Sequence, residues 1–222
     1  MTERELVQAR WAAAAGDPLV FARYFVRTLD QHDEEQPIKP FPAYRRHIVA
    51  LTRIWQGNRM MFVPKSRQLL VTWWAAMISL WDPLFHPGRL IFQQSKKLED
   101  VIGNEHSGDG LLGRTKFIVN HIPCRDWLLP ERDVEIRAKG ITFLRLNSSI
   151  TPIAQGGSKI RSHTVSGLVS DETAFQDEFE DAYGATVASV RRGWYLGVTT
   201  PDFKDGGCSM RIALDMPEPE VA

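Results

Sequence analysis

The sequence predicts an α/β fold in which a mainly parallel β-sheet lies between two layers of helices. From residue 44 onward, short apolar runs bounded by turn residues alternate with segments of helical periodicity. Such runs are typical of strands buried on both faces, and the helical segments are long enough to return the chain for parallel pairing. The predicted strands are residues 60–63, 89–93, 165–169 and 194–198, and residues 134–137 and 141–146 are predicted to form a hairpin.

The N-terminal part is predicted to be a small helical segment that precedes the sheet. Asp17 and Pro18 form a helix-start signature, because aspartate caps a first turn and proline suits its first position. The proline-punctuated stretch HDEEQPIKPFP (32–42) predicts a connector. We therefore divide the chain into an N-terminal helical segment and linker (1–40) and a main domain (41–222).

Apolar periodicity predicts further helices between the strands. One is predicted over residues 44–56, with Tyr44 on its apolar stripe. Another is predicted over residues 69–81, and the WDPLFHPG sequence is predicted to be the turn that ends it. Ser95 is predicted to cap the helix after the second strand, and a last helix is predicted around residues 177–190.

The composition predicts a soluble, intracellular, globular protein. No apolar run reaches the ~18 residues of a membrane span, and the start, MTERELVQAR, has no signal-peptide core. Cys124 and Cys208 give neither a disulfide framework nor a paired metal motif, which indicates a reducing compartment. Lysine plus arginine equal aspartate plus glutamate at 27 each, so any DNA contact must be local or shared among subunits.

The stretch FVPKSRQLLVTWW (62–74) is similar to a phosphate-binding loop with two departures. A P-loop, G-x-x-x-x-G-K-[ST], joins a strand to a helix. Thr72 occupies the final position, whereas Leu70 and Val71 stand where the second glycine and the lysine are expected. If Leu70 already lies in the helix, it needs no positive φ and the missing glycine matters less. The alternative is a degenerate loop at the start of a buried helix.

Two adjacent carboxylates, Asp171 and Glu172, follow an apolar strand in GLVSDETAF. In open α/β sheets, ligands bind at the carboxyl ends of the strands. Adjacent residues of an extended strand point to opposite faces, so one carboxylate could serve a Mg²⁺ ion and the other an attacking water. The same pattern also arises where a strand only runs out into a solvated loop.

A further strand end carries two hydroxyls, Thr199 and Thr200, in WYLGVTTPD. These hydroxyls could sense a γ-phosphate or only form local hydrogen bonds. Because the loop, the acid pair and the TTP sequence each close a predicted strand, we expect them at the same edge of the sheet.

Taken together, these stretches resemble the ATPase domain of phage large terminase subunits, the motors that package DNA into preformed capsids. KSRQLLVT is similar to the variant loop of that family, S-R-Q-x-G-K-[ST], and GVTTPDFKDGG to its coupling motif. FLRLNSSITPIAQGGSKIRSHTVSGLVSDETAF is similar to its hairpin, its S-x-I-R-G turn and its acid-pair strand. The similar stretch runs from about Tyr44 to Met210, and the departures are Leu70, Val71 and Ser162, the last in place of a glycine.

The resemblance implies a P-loop NTPase fold of the ASCE type, in a three-layer sandwich, that uses ATP and Mg²⁺. Some members of the family carry the loop lysine at the front of the loop, where Lys65 stands here. The resemblance implies that Glu172 acts on the attacking water and that Asp171 and Thr72 hold the metal. It adds Arg67 and Arg161 as catalytic cations. The implied nucleotide-binding residues are Lys65, Ser66, Arg67, Gln68, Thr72, Tyr44, Arg45, Thr199 and Thr200.

Several of these residues have alternative interpretations. Arg161 would bind the γ-phosphate, act as an arginine finger toward a neighbouring subunit, or be a solvated loop charge. Tyr44 and Arg45 lie where the family contacts adenine, but the usual glutamine is absent, so an ordinary amphipathic helix is the alternative. The residues expected in the core rather than on a base-stacking surface are Trp73, Trp74 and Trp81.

The implied function is the ATPase of a packaging motor that translocates double-stranded DNA into a procapsid. The expected partners are double-stranded DNA, the portal protein and the small terminase subunit. We expect a monomer in isolation and a homo-oligomeric ring on the procapsid, in the cytoplasm of the bacterial host. No second carboxylate cluster follows the coupling motif, so we expect the nuclease domain of the family to be absent. The alternatives are a helicase-like ATPase, for whose second lobe the chain has no room, and a non-catalytic nucleotide-binding or structural assembly subunit with a degenerate loop.

Overall fold

Helices and strands alternate along most of the chain. The computed structural model describes residues 1–66, 68–189 and 193–201. The α-helices among these residues are α1 (Glu3–Gly16), α2 (Pro18–Phe25), α3 (Arg46–Gly57), α4 (Val71–Phe85), α5 (Leu98–Ile102), α6 (Leu111–Asn120), α7 (Arg125–Leu128), α8 (Ser158–Arg161) and α9 (Phe179–Ser189).

The strands of the described chain form a two-stranded sheet and a seven-stranded sheet. The smaller sheet is antiparallel and follows α2. The strands are β1 (Arg27–Leu29), β2 (Ile38–Pro40), β3 (Met60–Pro64), β4 (Leu90–Gln94), β5 (Val134–Arg137), β6 (Gly140–Phe143), β7 (Ser148–Ile153), β8 (Gly167–Asp171) and β9 (Trp194–Thr199).

The seven-stranded sheet is mainly parallel, with the order β3–β9–β8–β4–β7–β6–β5. The neighbours from β3 to β7 all pair in parallel, and helices lie along the chain between β3, β4, β7, β8 and β9. Strand β6 runs antiparallel to both β7 and β5 and forms the predicted hairpin with β5. The prediction of a mainly parallel sheet is confirmed.

The sheet lies between two layers of helices. Successive residues of a strand point to opposite faces. On β8 and β9, Val169 and Leu196 belong to the larger apolar core, which also contains residues of α1, α2, α3, α4 and α6. Their neighbours Leu168 and Tyr195 belong to a second core with α8 and α9. The predicted three-layer sandwich is therefore confirmed.

The N-terminal helices pack into the larger core. Asp17 caps α2 as predicted, because its side chain accepts a hydrogen bond from the Leu19 amide at 2.9 Å. Trp81 Nε1 of α4 donates to the Ala14 carbonyl at 2.7 Å, and this bond ties α1 to the helix behind the sheet. The domain boundary near residue 41 stays a prediction.

At the amino edge of the sheet, a buried aspartate joins α4 to β9. Asp82 lies in the last turn of α4 and accepts a hydrogen bond from Trp194 Nε1 at 2.8 Å. The same carboxylate lies 3.2 Å from His86 Nδ1 and forms an ion pair with Arg89 at 3.3 Å. The end of α4 and the start of β9 are therefore held together.

The predicted strands are present, with shifted ends. Strand β3 extends to Pro64, β4 lies one residue later than predicted, and β9 extends to Thr199. Strand β8 lies two residues later, and β6 ends at Phe143. Strand β7 was not predicted, because its sequence, SSITPI, begins with two serines and contains a proline, which are typical of loops.

The helix ends depart further from the predictions. WDPLFHPG does not end α4 at Trp81, because the helix continues through Pro83 to Phe85. Ser95 does not cap α5; Lys97 precedes that helix and makes no side-chain capping bond. Tyr44 lies outside α3 and is 84% exposed, so it is not on the apolar stripe.

The placement of the predicted core tryptophans is confirmed. The three tryptophans assigned to the core, Trp73, Trp74 and Trp81, are buried. Within the part of the chain that the structure describes, no helix has the length and apolar character needed to cross a membrane.

Candidate nucleotide-binding site

The carboxyl ends of four adjacent strands meet at one edge of the sheet. Strands β3, β9, β8 and β4 are parallel neighbours, so the segments that follow them emerge on the same side. These segments are the loop before α4, the TTP sequence, the acid pair and residues 95–97. The expected convergence of the three sequence motifs is confirmed.

The loop between β3 and α4 begins against β9. The Lys65 amide donates to the Thr199 carbonyl at 2.8 Å, so the loop continues the pairing of the two strands by one residue. Near the other end of the loop, His47 of α3 places Nε2 at 3.1 Å from the Leu69 carbonyl oxygen. Lys65 is half-buried, Ser66 and Gln68 are exposed, and the predicted site residue Arg67 lies outside the described residues.

Leu70 does not lie in the helix, which corrects the prediction. Helix α4 begins at Val71, and Leu70 precedes it in the left-handed conformation with φ 58°. This conformation costs a residue with a side chain about 1–2 kcal/mol, whereas glycine adopts it freely. The apolar periodicity of the stretch could not show this, because it does not locate the first helical φ angle. The departure from glycine at this position therefore carries strain.

The two residues of the acid pair do not occupy successive extended positions of a strand, because a turn begins at the second one. Asp171 is the last residue of β8, whereas Glu172 is left-handed with φ 54°. The expectation of successive extended positions is therefore wrong. The Glu172 amide donates to Asp171 Oδ1 at 3.0 Å, and Glu172 itself is exposed. Burial raises the pKa of the Asp171 carboxyl, and the charge of Lys65 opposes that rise.

Thr199 joins the end of β9 to the turn that follows the acid pair. Its side chain is buried, and its hydroxyl oxygen accepts a hydrogen bond from the Ala174 amide at 3.1 Å. The hydroxyl in turn donates to the Thr200 carbonyl at 3.0 Å. Local hydrogen bonding was one of the two interpretations of these threonines, and Thr199 makes such bonds directly to the acid-pair turn.

A network of buried polar side chains supports the acid pair. Gln176 Nε2 donates to the Ser170 hydroxyl and to the Asp171 carbonyl, both at 2.9 Å. Ser170 donates to Gln94 Oε1 at 3.2 Å, and Gln94 Nε2 donates to the Ala154 carbonyl at 3.0 Å. No role was predicted for these residues. Gln94 and Ser170 are polar residues near the ends of otherwise apolar strands, whereas Gln176 lies in the turn after the acid pair and has no such signal.

Arg114 of α6 faces the acid pair and was not predicted from the sequence. It lines one cleft with Asp171 and Glu172. Its guanidinium carbon lies 5.7 Å from the centroid of the Trp73 ring. Burial lowers the pKa of Arg114, and the charges of Asp171, Asp109 and Glu172 oppose that change. In the sequence GLLGRTKF, nothing distinguishes this arginine from a surface residue.

The structure does not bring Arg161 to the acid pair of its own chain. Arg161 ends α8, is exposed, and forms an ion pair with Asp181 of α9. The other carboxylate oxygen of Asp181 accepts from the Gly157 amide at 3.0 Å. Tyr44 and Arg45 are exposed just before α3, so their contact with a base stays a prediction.

The donors at this edge fit a Mg²⁺ ion that arrives with a nucleotide. Asp171 offers a carboxylate, and Thr72 offers a hydroxyl in the first turn of α4. No cluster of three metal-ligating side chains occurs in the described part of the chain. Magnesium commonly takes only one or two protein carboxylates, with phosphate oxygens and waters completing its octahedron.

The strand order and the loop that leads into α4 define a P-loop NTPase fold. Among solved structures, the HK97 bacteriophage large terminase is similar, with a TM-score of 0.62 and 18% sequence identity. The match covers 90% of this chain and 40% of that chain, so the chain spans less than half of that protein. The resemblance inferred from the motifs is confirmed at the level of the fold.

Two other solved structures show weaker similarity. The large terminase ATPase domain of Thermus phage P74-26 has a TM-score of 0.46 and 16% identity, over 65% of this chain and 60% of that chain. The large terminase from another thermophilic bacteriophage has a TM-score of 0.45 and 13% identity, over 65% of this chain and 34% of that chain. Neither the protein-family models nor the curated protein sequences gave a match to this chain.

Proposed function

We propose that the chain is the ATPase domain of a phage large terminase, which hydrolyses Mg²⁺·ATP to move double-stranded DNA into a procapsid. The observation that carries this proposal is the convergence of a cation, two carboxylates and a hydroxyl at one edge of a P-loop NTPase sheet. These groups belong to Lys65, Asp171, Glu172 and Thr199. Phosphoryl transfer needs little more from a protein than positioning and electrostatic stabilisation, which such groups supply.

Each group has a role that follows from its position. Lys65 is half-buried at the front of the loop, and an ammonium on a flexible stem reaches phosphate oxygens from there. Asp171 and Thr72 hold the metal, which neutralises the charge that develops on the phosphates when it is bound. Glu172 is exposed at the end of β8, where it orients and deprotonates a water. Thr199 transmits the phosphate state from β9 to the acid-pair turn.

The partners follow from the same proposal. The balanced charge gives the single chain no strong general attraction to DNA. A homo-oligomeric ring sums several weak contacts around one duplex, so the motor needs no tight binding by one subunit. We propose that this ring assembles with the portal protein and the small terminase subunit in the host cytoplasm. The exposed Arg161 then acts in the site of a neighbouring subunit, which requires it to leave Asp181.

A phosphate-release assay with the Glu172→Gln variant tests the proposed chemistry. Glutamine keeps the size and hydrogen bonding of the side chain but removes the base, so hydrolysis should collapse while ATP binding survives. The matched control is Glu180→Gln, since Glu180 is an exposed glutamate on α9. Hydrolysis by Glu172→Gln at the parental rate would show that Glu172 is not the catalytic carboxylate.

The second candidate is a non-catalytic nucleotide-binding or structural assembly subunit with a degenerate loop. It is favoured by the strained conformation of Leu70, where a working loop would carry glycine. Phosphate release by the parental chain separates an ATPase from a non-catalytic subunit, and the Lys65→Ala variant tests whether the loop binds phosphate. If Lys65 binds phosphate, its loss should weaken ATP binding by ~1.5–3 kcal/mol, roughly ten- to a hundredfold. Unchanged ATP affinity would favour the degenerate loop.

A further inference from the structure

Arg114 lies on the same side of the sheet as the metal-binding carboxylate. Asp171 follows Val169 by two residues on β8, so it faces the layer that contains α4 and α6. Arg114 belongs to α6 and lines the cleft into which Asp171 and Glu172 open. A fixed cation therefore stands opposite the two carboxylates, on the helix side of the cleft.

The guanidinium also lies over the ring of a tryptophan from the first turn of α4. Trp73 is the third residue of that helix, and the Arg114 guanidinium carbon is 5.7 Å from its ring centroid. The N-terminal turn of a helix that follows a phosphate-binding loop is where backbone amides meet phosphates. Arg114 thus contacts a side chain from the first turn of α4 and shares a cleft with the acid pair, and the terminal phosphate of a nucleotide lies between these two elements in this class of fold.

Helix α6 is anchored so that Arg114 is held in place. Gln93 at the end of β4 donates from Nε2 to the Thr115 hydroxyl at 2.8 Å and to the Ser79 hydroxyl at 2.6 Å. All three side chains are fully buried, and Thr115 is the residue after Arg114. The sheet edge, α4 and α6 are therefore connected by direct hydrogen bonds one residue from the arginine.

The charge of Arg114 lacks a close partner of opposite sign. Among the described residues, no carboxylate oxygen is within ion-pair distance of its guanidinium. Its Nη1 donates to the Gly110 carbonyl at 3.4 Å, and its Nε is buried with no hydrogen-bond partner among them. Burying a charged group without a partner is costly, and the planar donors of guanidinium match phosphate oxygens. The cleft is also lined by Glu99, Asp100 and Asp109, so the partner that fits is a phosphate that enters together with its Mg²⁺.

We propose that Arg114 contacts the γ-phosphate of ATP bound in its own chain and makes the site prefer ATP to ADP. This inference rests on the proposed function, because it requires the cleft to bind ATP. It assigns to α6 a phosphate contact that is separate from Lys65 in the loop and from the exposed Arg161.

The test compares the affinities of two nucleotides for three variants of the chain. A non-hydrolysable ATP analogue and ADP are each titrated, with Mg²⁺, into Arg114→Gln, Arg114→Lys and Arg125→Gln. Arg125 is the matched control, because its Nε is also buried without a hydrogen-bond partner but it lies on α7, outside the cleft. Arg114→Gln should weaken binding of the analogue roughly ten- to a hundredfold and change ADP binding by less than about twofold. Arg114→Lys should lose less, and Arg125→Gln should leave both affinities unchanged.

Equal losses for the two nucleotides in the Arg114 variants would overturn the inference, since they would show that Arg114 only maintains the cleft as a counter-ion. Unchanged binding of both would overturn it as well. If Arg114→Gln does not fold, Arg114→Lys decides the matter, because it keeps the charge and loses the planar fork. A parental chain that binds neither nucleotide overturns the proposed function, whereas parental binding with unaltered discrimination in the variants overturns this inference alone.

Discussion

The Thr199 hydroxyl oxygen accepts a hydrogen bond from the Ala174 amide at 3.1 Å, while the Thr199 carbonyl accepts one from the Lys65 amide at 2.8 Å. A single residue at the end of β9 therefore contacts both the start of the loop between β3 and α4 and the turn after the acid pair. A displacement of either segment reaches the other through these two hydrogen bonds.

The Thr199→Val variant should separate these two segments. Valine has nearly the shape of threonine but leaves the Ala174 amide without its acceptor, which should cost about 1–3 kcal/mol in the free energy of unfolding. Chemical denaturation measures this loss, and Thr199→Ser, which keeps the hydroxyl, should recover most of it. A valine variant as stable as the parent would show that the bond contributes nothing.

Gln176 should act as a positioning residue for the acid pair. Its amide holds the Asp171 carbonyl and the Ser170 hydroxyl, so Gln176→Met should let the end of β8 shift. We expect kcat to fall by about tenfold to a hundredfold with KM nearly unchanged, because small misplacements of catalytic groups slow the chemical step. Steady-state kinetics of Gln176→Met are compared with those of Gln56→Met, because Gln56 is an exposed glutamine on α3. A rise in KM with kcat preserved would contradict this role.

Glycine should be better tolerated than alanine at position 70. Both substitutions remove the leucine side chain, but only glycine adopts φ 58° without strain. The free energy of unfolding of the Leu70→Gly variant should therefore be about 1 kcal/mol higher than that of Leu70→Ala. At the exposed helical position Ala50 of α3, glycine should instead cost about 0.5–1 kcal/mol. Thermal or urea unfolding that ranks alanine above glycine at position 70 would contradict the left-handed conformation.

The carboxyl of Asp171 should make stability depend on pH with a defined sign. Burial raises its pKa, so the folded state binds this proton more tightly than the unfolded chain. Its contribution to stability is fully present below the ordinary aspartate pKa of about 3.9 and is lost as pH rises through the raised folded value. Asp171→Asn should therefore be more stable than the parent at neutral pH, and the difference should vanish in acid.

Thermal unfolding of both proteins across this pH range measures the effect. The control is Asp177→Asn, because the hydrogen bond and charge of Lys96 lower the pKa of the exposed Asp177 carboxyl. Removing that carboxylate should reduce stability at neutral pH, which is the opposite sign. An Asp171→Asn variant that is less stable than the parent at neutral pH would show that ion pairing with Lys65 outweighs burial.

The parallel sheet was predictable because its strands are short apolar runs separated by helices, and periodicity detects both. Strand β7 was not predictable, because its sequence begins with two serines and contains a proline. Its pairing with β4 and β6 forms only in the tertiary fold. The end of α4 was misplaced for a related reason. Proline at position 83 is usually a helix breaker, yet the buried Asp82 and its partners hold the last turn in place.

Some residues of the candidate site were predictable from the sequence and others were not. The positions of Asp171, Glu172 and Thr199 were predictable because each lies at or directly after the carboxyl end of a parallel strand. Arg114 and Gln176 come to that edge from a distant helix and from a turn, and their roles depend on burial and on partners that sequence spacing does not encode. The left-handed angles of Leu70 and Glu172 were equally hidden, because neither residue type favours that conformation.

The hydrogen bond between Asp82 and Trp194 makes one end of α4 a pivot point. It holds the far end of that helix against the beginning of β9, while the opposite ends of both elements, Val71 and Thr199, lie at the carboxyl edge of the sheet. A rigid motion of α4 relative to β9 that preserves this bond is therefore a rotation about it. The helix between Asp82 and Val71 spans about 16 Å, so a rotation of about 10° moves its N-terminal end by about 3 Å. Under the proposed function, a nucleotide bound at the carboxyl edge would drive such a rotation about the contact between Asp82 and Trp194.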